Sequence, residues 1–164
     1  MRVVGIDPGI HGAFALVDDG ILVAVEDMPV IPEIVSKKVR NKPNPALMAD
    51  ILRRWEASGP LIIYIEKVGP TPKDGVVGAF SFGKGAGLLE GVAAGMGLPF
   101  TLVTPQTWKK AMGAPADKNA ARARACQLFP SHAAQFARVK DDGRAESALL
   151  ALYGYRQMIS EMMG

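Results

Sequence analysis

The sequence predicts an α/β protein built on a mixed five-stranded sheet, three antiparallel strands followed by parallel ones, with helices on both faces. Three observations carry this expectation. The chain opens with three apolar runs separated only by tight-turn residues, and strands joined so closely must run antiparallel. Its middle then alternates helical and strand patterns, as in an α/β layer structure. One of those runs, LIIYIE at 61–66, is apolar without alternation, which suits a central strand covered on both faces.

In order, RVVGID (2–7) reads as a buried strand, GAFALVD (12–18) as a second after an Asp-Pro-Gly turn, and ILVAVEDMPV (21–30) as a third after Asp18-Asp19-Gly20. The segment VIPEIVSKKVRNKPNP (30–45) is rich in Pro and Lys with no apolar period and reads as an exposed loop. Asn44 then caps a helix with Pro45 at its first position. Leu47, Met48, Ile51, Leu52 and Trp55 share one face of that helix, and Gly59-Pro60 ends it. After the strand LIIYIE, a Gly/Pro/Lys loop through Lys84 leads into a helix containing AGLLEGVAAGMG, followed by the strand FTLVT (100–104). Short helices are expected at PQTWKKAMG and DKNAARARACQLF, and a long one from about Asp142 to Met163. Trp55 and Trp108 fall in apolar helical patterns and read as core. This order matches the ribonuclease H-like fold.

The 164 residues suit one domain, 1–164, with no internal repeat. No apolar run approaches the roughly 18 residues a membrane-spanning helix needs, and the single cysteine, Cys126, cannot form an internal disulfide. A reducing cytoplasm is the expected setting, with no membrane association. The net charge is +3. The excess lies beyond residue 100, where nine basic residues face five acidic ones, and this permits an anionic partner.

Two carboxylates terminate apolar strands: Asp7 ends the first and Glu66 ends LIIYIE. If these strands are neighbours, the two acids lie side by side. Asp142 and Glu146 are four apart at the start of the last helix and project from one face. Leu149, Leu150 and Tyr153 would pack that helix on the sheet. Four converging carboxylates call for a shared cation, and hard oxygen donors favour Mg²⁺ or Mn²⁺. Two such ions can activate water and stabilise the leaving oxygen of a phosphodiester. The competing reading takes Asp7 as a turn residue and Asp142 as a helix cap.

The segments GIDPGIHGAFALVD, IIYIEKV, FGKGAGLLEGVAAGMGLPFTLVTPQTWKKAMG and KDDGRAESALLALYGYR together resemble the RuvC-type Holliday junction resolvases, in particular their divergent phage and bacterial branch. The resemblance spans nearly the whole chain. It implies a structure-selective endonuclease that resolves four-way DNA junctions as a homodimer, with two divalent ions per site. By motif, Asp7 and Glu66 resemble the first and second metal-binding carboxylates and Glu146 the last. Asp142 resembles the remaining one, with Asp141 its alternative, because the family's paired acids are usually three apart and Gly143 stands at that position. Lys109 and Lys118 stand where the family places lysines at the catalytic face. The family also inserts an aromatic side chain from the loop after the Glu66 strand into the junction. The place nearest Glu66 is Gly69 here, so Phe80 or Phe82 would serve if the loop folds back.

Basic side chains that neutralise phosphates make nucleic-acid affinity salt-dependent. Lys37, Lys38, Arg40 and Lys42, then Lys73 and Lys84, then Lys109 and Lys110 are the candidate backbone contacts, and Phe80 and Phe82 the candidate stacking residues. GAFSFGKG (78–85) nearly reproduces a phosphate-binding loop but ends in Gly85, without the hydroxyl that would hold Mg²⁺. Two other readings stand beside the resolvase: an RNA-processing nuclease like the YqgF group, which begins with a similar GIDPG, and a noncatalytic nucleic-acid-binding module on the same fold.

Overall fold

Successive residues of the first strand point to opposite faces and are apolar on both, so the strand is buried on either side. In β1 (Arg2–Asp7), Val3 joins one apolar cluster while Val4 and Ile6 join the other. The structure, a computed structural model, describes residues 1–35, 37–69, 75–114 and 117–164. β2 (Ala13–Asp18) and β3 (Ile21–Asp27) follow as antiparallel neighbours. β6 (Leu61–Glu66) lies parallel to β1 on its other side, and β7 (Phe100–Val103) lies parallel to β6. The resulting order is β3-β2-β1-β6-β7, the mixed five-stranded sheet expected from the sequence.

Helices cover both faces. α1 (Pro45–Glu56) and α2 (Val76–Gly95) bury Met48, Leu52, Leu89 and Ala93 against Ile6, Phe14, Leu16, Ile63 and Ile65. The Asn44 side chain accepts from the amides of Ala46 and Leu47, with Pro45 opening α1. On the opposite face α3 (Pro105–Met112), α4 (Lys118–Leu128) and α5 (Asp142–Met163) surround a cluster that holds Val3, Ala15, Tyr64, Trp108 and Leu149. Two 3₁₀ segments, Pro130–Phe136 and Val139–Asp141, lead into α5. No helix among the described residues is long and apolar enough to cross a membrane.

Two expectations are corrected. The segment read as a loop forms a second sheet, the antiparallel ribbon β4 (Val30–Val35) and β5 (Lys38–Pro43). Its strands are exposed except at the end where Val30, Ile31, Lys42 and Pro43 are partly or fully buried, so it carries no buried face whose apolar alternation could announce it. Pro32 is tolerated because both strands of a two-stranded ribbon are edges. The loop expected to run to Lys84 ends earlier, because α2 begins at Val76 with Gly75 before it. Phe80, Phe82 and Lys84 therefore stand on a helix. GAFSFGKG is helical too, so its amides serve the helix and cannot cradle a phosphate.

Candidate active site

Parallel pairing sets the first two acids side by side. The β1–β6 register ends at Ile6 opposite Ile65, so the next residues, Asp7 and Glu66, finish neighbouring strands at the same edge. The last helix is brought down on that edge by glycine. A Cβ on Gly5 would lie 2.2 Å from the Ser147 carbonyl oxygen and 2.3 Å from the Ala151 nitrogen, so only hydrogen lets α5 rest on the β1 backbone. Gly143 does the same one turn earlier, where a Cβ would lie 2.3 Å from the His11 carbonyl oxygen and 2.8 Å from Gly12 Cα. These two contacts seat the Asp142–Glu146 turn over the loop that follows Asp7.

The electrostatic consequence falls on Asp7. Its carboxyl is pushed up to about 7, first by burial, then by the negative charges of Glu146 and Glu66, with Asp142 adding less. The Gly9 amide, donating to Asp7 Oδ1 at 3.3 Å, opposes the shift only weakly. Glu66 is also raised, chiefly by burial and then by Glu146. The Trp108 indole N–H, which donates to Glu66 Oε2 at 2.8 Å, and Lys109 work against that rise. Glu146 is engaged by Lys109, whose Nζ lies 2.6 Å from Oε1. Lys109 Nζ also stands 5.2 Å from the centre of the Trp108 ring, within cation–π range.

Coupling through space is not yet ligation. Among the described residues no three acidic, histidine or cysteine side chains are gathered closely enough to enclose an ion. The donor set itself, four carboxylates with no nitrogen or sulfur ligand, suits a hard divalent cation. A carboxyl raised to about 7 by burial and then by acidic neighbours is the electrostatic mark of a site short of positive charge.

The two candidates for the third acid stand in different surroundings. Asp141 is 1% exposed and fully occupied. Its carboxylate accepts from Arg138 Nη2 at 2.8 Å, from Arg138 Nε at 3.0 Å and from the Arg138 amide at 2.8 Å. Burial works to raise its pKa, but these hydrogen bonds and the Arg138 charge hold it below the ordinary range. Asp142, the next residue, is the one that acts on Asp7. Arg144 completes the helix's seating through Asp27, donating from Nε at 2.6 Å and from Nη2 at 2.8 Å.

Of the basic candidates described, Lys109 touches this cluster. Lys38, Arg40 and Lys42 alternate along β5 and share one face of the ribbon, with Lys37 at its turn. Lys37, Lys38 and Arg40 are exposed, whereas Lys42 is paired to Glu33 at 2.7 Å. Lys84 and Lys110 are exposed on α2 and α3. Lys118 opens α4, but its side chain lies outside the described residues, as does the whole of Lys73. Phe80 is exposed on α2. Phe82 lines a cavity of about 390 Å³ that Glu66, Gly69, Gly83 and Glu90 also border.

Trp108 is the residue whose part was not anticipated. It is fully buried, as its apolar pattern implied, yet its one polar atom meets a candidate site carboxylate. A buried indole N–H needs an acceptor. Because β7 neighbours β6, with Val103 opposite Glu66, a tryptophan on the helix that follows β7 has that carboxylate within reach.

No protein-family model matches the sequence, and no curated protein sequence matches it. Solved structures do. The RuvC of Thermus thermophilus in complex with a Holliday junction substrate is similar over 96% of each chain, with a TM-score of 0.66 at 18% identity. A further Thermus thermophilus RuvC structure matches over 96% of each chain with a TM-score of 0.54 at 19% identity. The fowlpox virus Holliday junction resolvase matches over 98% of this chain and 99% of its own, with a TM-score of 0.54 at 18% identity. The chain therefore has the ribonuclease H-like fold in the arrangement that RuvC-type Holliday junction resolvases share.

Proposed function

We propose that the chain is a structure-selective endonuclease that resolves four-way DNA junctions by metal-dependent phosphodiester hydrolysis. It works in the cytoplasm as a homodimer, each protomer a single nuclease domain, because symmetrical resolution requires two cuts. The observation that carries this reading is Asp7, a carboxyl raised to about 7 by burial and by three acidic neighbours at the end of the central strands. Part-buried acids that repel one another are costly on their own and become useful once a cation arrives. The likeness to Thermus RuvC bound to a junction supports four-way DNA as the substrate class.

Asp7, Glu66, Asp142 and Glu146 would hold Mg²⁺ or Mn²⁺, two ions per site. Bound there, the ions would supply an activated water and stabilise the leaving oxygen. The protein's own groups prepare the site. The Gly9 amide orients Asp7, and Lys109 balances part of the negative charge at Glu146, so that an approaching phosphodiester meets less repulsion. The exposed Lys37, Lys38 and Arg40 on the ribbon, with Lys84 and Lys110, offer contacts to phosphates without reading bases.

The test is a comparison of labelled four-way junction, linear duplex of the same sequence and RNA, each with Mg²⁺ and with chelator. Junction DNA should be cut preferentially and only with the metal. Equal rates on junction and duplex would remove the junction assignment, preferential cutting of RNA would favour the RNA-processing reading, and junction binding without cleavage would favour the noncatalytic one.

A further inference from the structure

Helix α3 touches the acidic cluster with two consecutive side chains, and the first of them is neither charged nor exposed. Trp108 has no solvent-accessible surface and packs with Val103, Met112 and Leu149, yet its Nε1–H donates to Glu66 Oε2 at 2.8 Å. Packing alone would be satisfied by phenylalanine. An indole brings one donor, fixed in the plane of a ring that cannot rotate in a filled core. Glu66 has three side-chain torsions and stands at a strand end, where nothing in its own backbone selects an orientation. The Trp108 hydrogen bond supplies that selection by holding one oxygen and leaving the other, Oε1, with its lone pairs. The neighbouring Lys109, 2.6 Å from Glu146 and 5.2 Å from the indole centre, ties the same helix to the opposite side of the cluster.

From this geometry we infer that Trp108 is a positioning residue: it acts through Glu66, holding that carboxylate in the orientation that receives a divalent cation. The inference rests on the metal-nuclease reading above and deepens it. Outer partners of this kind typically change metal affinity 10–100-fold when removed.

Two measurements on the full chain test it. The first needs no metal. In ¹⁵N-labelled Trp55→Phe protein, the one remaining indole N–H resonance belongs to Trp108. It should be shifted downfield and protected from solvent exchange, and Glu66→Ala should move it upfield. An indole signal indifferent to Glu66→Ala would overturn the contact. The second is Mn²⁺ titration followed by calorimetry, comparing the natural protein, Trp108→Phe, Glu66→Gln and the double variant. Trp108→Phe should weaken Mn²⁺ binding roughly 10–100-fold, with little further loss in the Glu66→Gln background, because the two act as one unit. Natural affinity in a folded Trp108→Phe protein would overturn the positioning role and leave the metal reading standing. A natural protein that binds no Mn²⁺ would overturn both. Should Trp108→Phe fail to fold, the indole resonance of the Glu66→Ala protein still decides whether the contact exists.

Discussion

Asp7 is the residue at which the chain gives up stability for a charged site. Its folded pKa, about 7, lies above the ordinary aspartate value. Between those two values the folded protein binds more protons than the unfolded one, so stability falls as pH rises and the full penalty is present above pH 7. Asp7→Asn should therefore raise the thermal midpoint of the metal-free protein at pH 8 by several degrees, corresponding to about 1–3 kcal/mol, and leave it unchanged at pH 4. Calorimetry in chelator at both pH values checks this, and an equal effect at both would mean that neither burial nor the acidic neighbours raise the Asp7 pKa. Asp141 should behave in the opposite sense. Its folded pKa is depressed, so its contribution is present above the ordinary aspartate value and lost as pH falls through the folded one. Asp141→Asn should cost about 2 kcal/mol at neutral pH by denaturant unfolding while leaving Mn²⁺ affinity unchanged. A selective loss of metal binding would instead make Asp141 the third ligand. The different surroundings of Asp141 and Asp142 were not legible in the sequence, because adjacent acids at a helix start look alike until Arg138 is seen to bind Asp141.

At the scale of elements, the site is made by α5 lying on the backbone of β1. Gly5→Ala would drive a methyl group into the Ser147 carbonyl at 2.2 Å. The helix must lift, carrying Glu146 away from Asp7. A loss of about 2–3 kcal/mol is expected, seen as a lower denaturation midpoint, together with weakened metal binding. Gly87→Ala on α2, where a Cβ meets nothing within 4 Å, should be neutral or mildly stabilising and serves as the control. The central strands and α5 could be read from the sequence because burial imposes a pattern on them: both faces of β1 and β6 are apolar, and each ends on an acid. The β4–β5 ribbon could not be read in this way. Its pairing rests on backbone hydrogen bonds and contacts such as Lys42 to Glu33, which leave no periodic apolar signature. The start of α2 was hidden for a related reason, since Val76, Val77 and Phe80 are exposed and glycine recurs through the helix.

Across the whole molecule, among the described residues, the acids Asp7, Glu66, Asp142 and Glu146 act on one another at the end of the central strands, and Lys37, Lys38, Arg40, Lys84 and Lys110 are exposed on the ribbon, α2 and α3. Junction affinity should fall steeply between low and physiological salt, because lysine and arginine contacts release counterions from the phosphates. Fluorescence anisotropy over that range measures it, and a salt-independent affinity would show that these side chains do not carry binding. On the proposed reading the acidic zone would oppose DNA until a cation fills it, which would separate binding from chemistry. The central claim is that the Asp7 cluster performs hydrolysis and does not hold the DNA. Its most direct test is Asp7→Asn, with cleavage and binding measured on one labelled junction. Cleavage in Mg²⁺ should fall at least about a hundredfold, while affinity in chelator stays equal or rises modestly, since one repelling charge is gone. An Asp7→Asn protein that is normally folded and cuts the junction at the natural rate would reduce Asp7 to a turn residue and contradict the account.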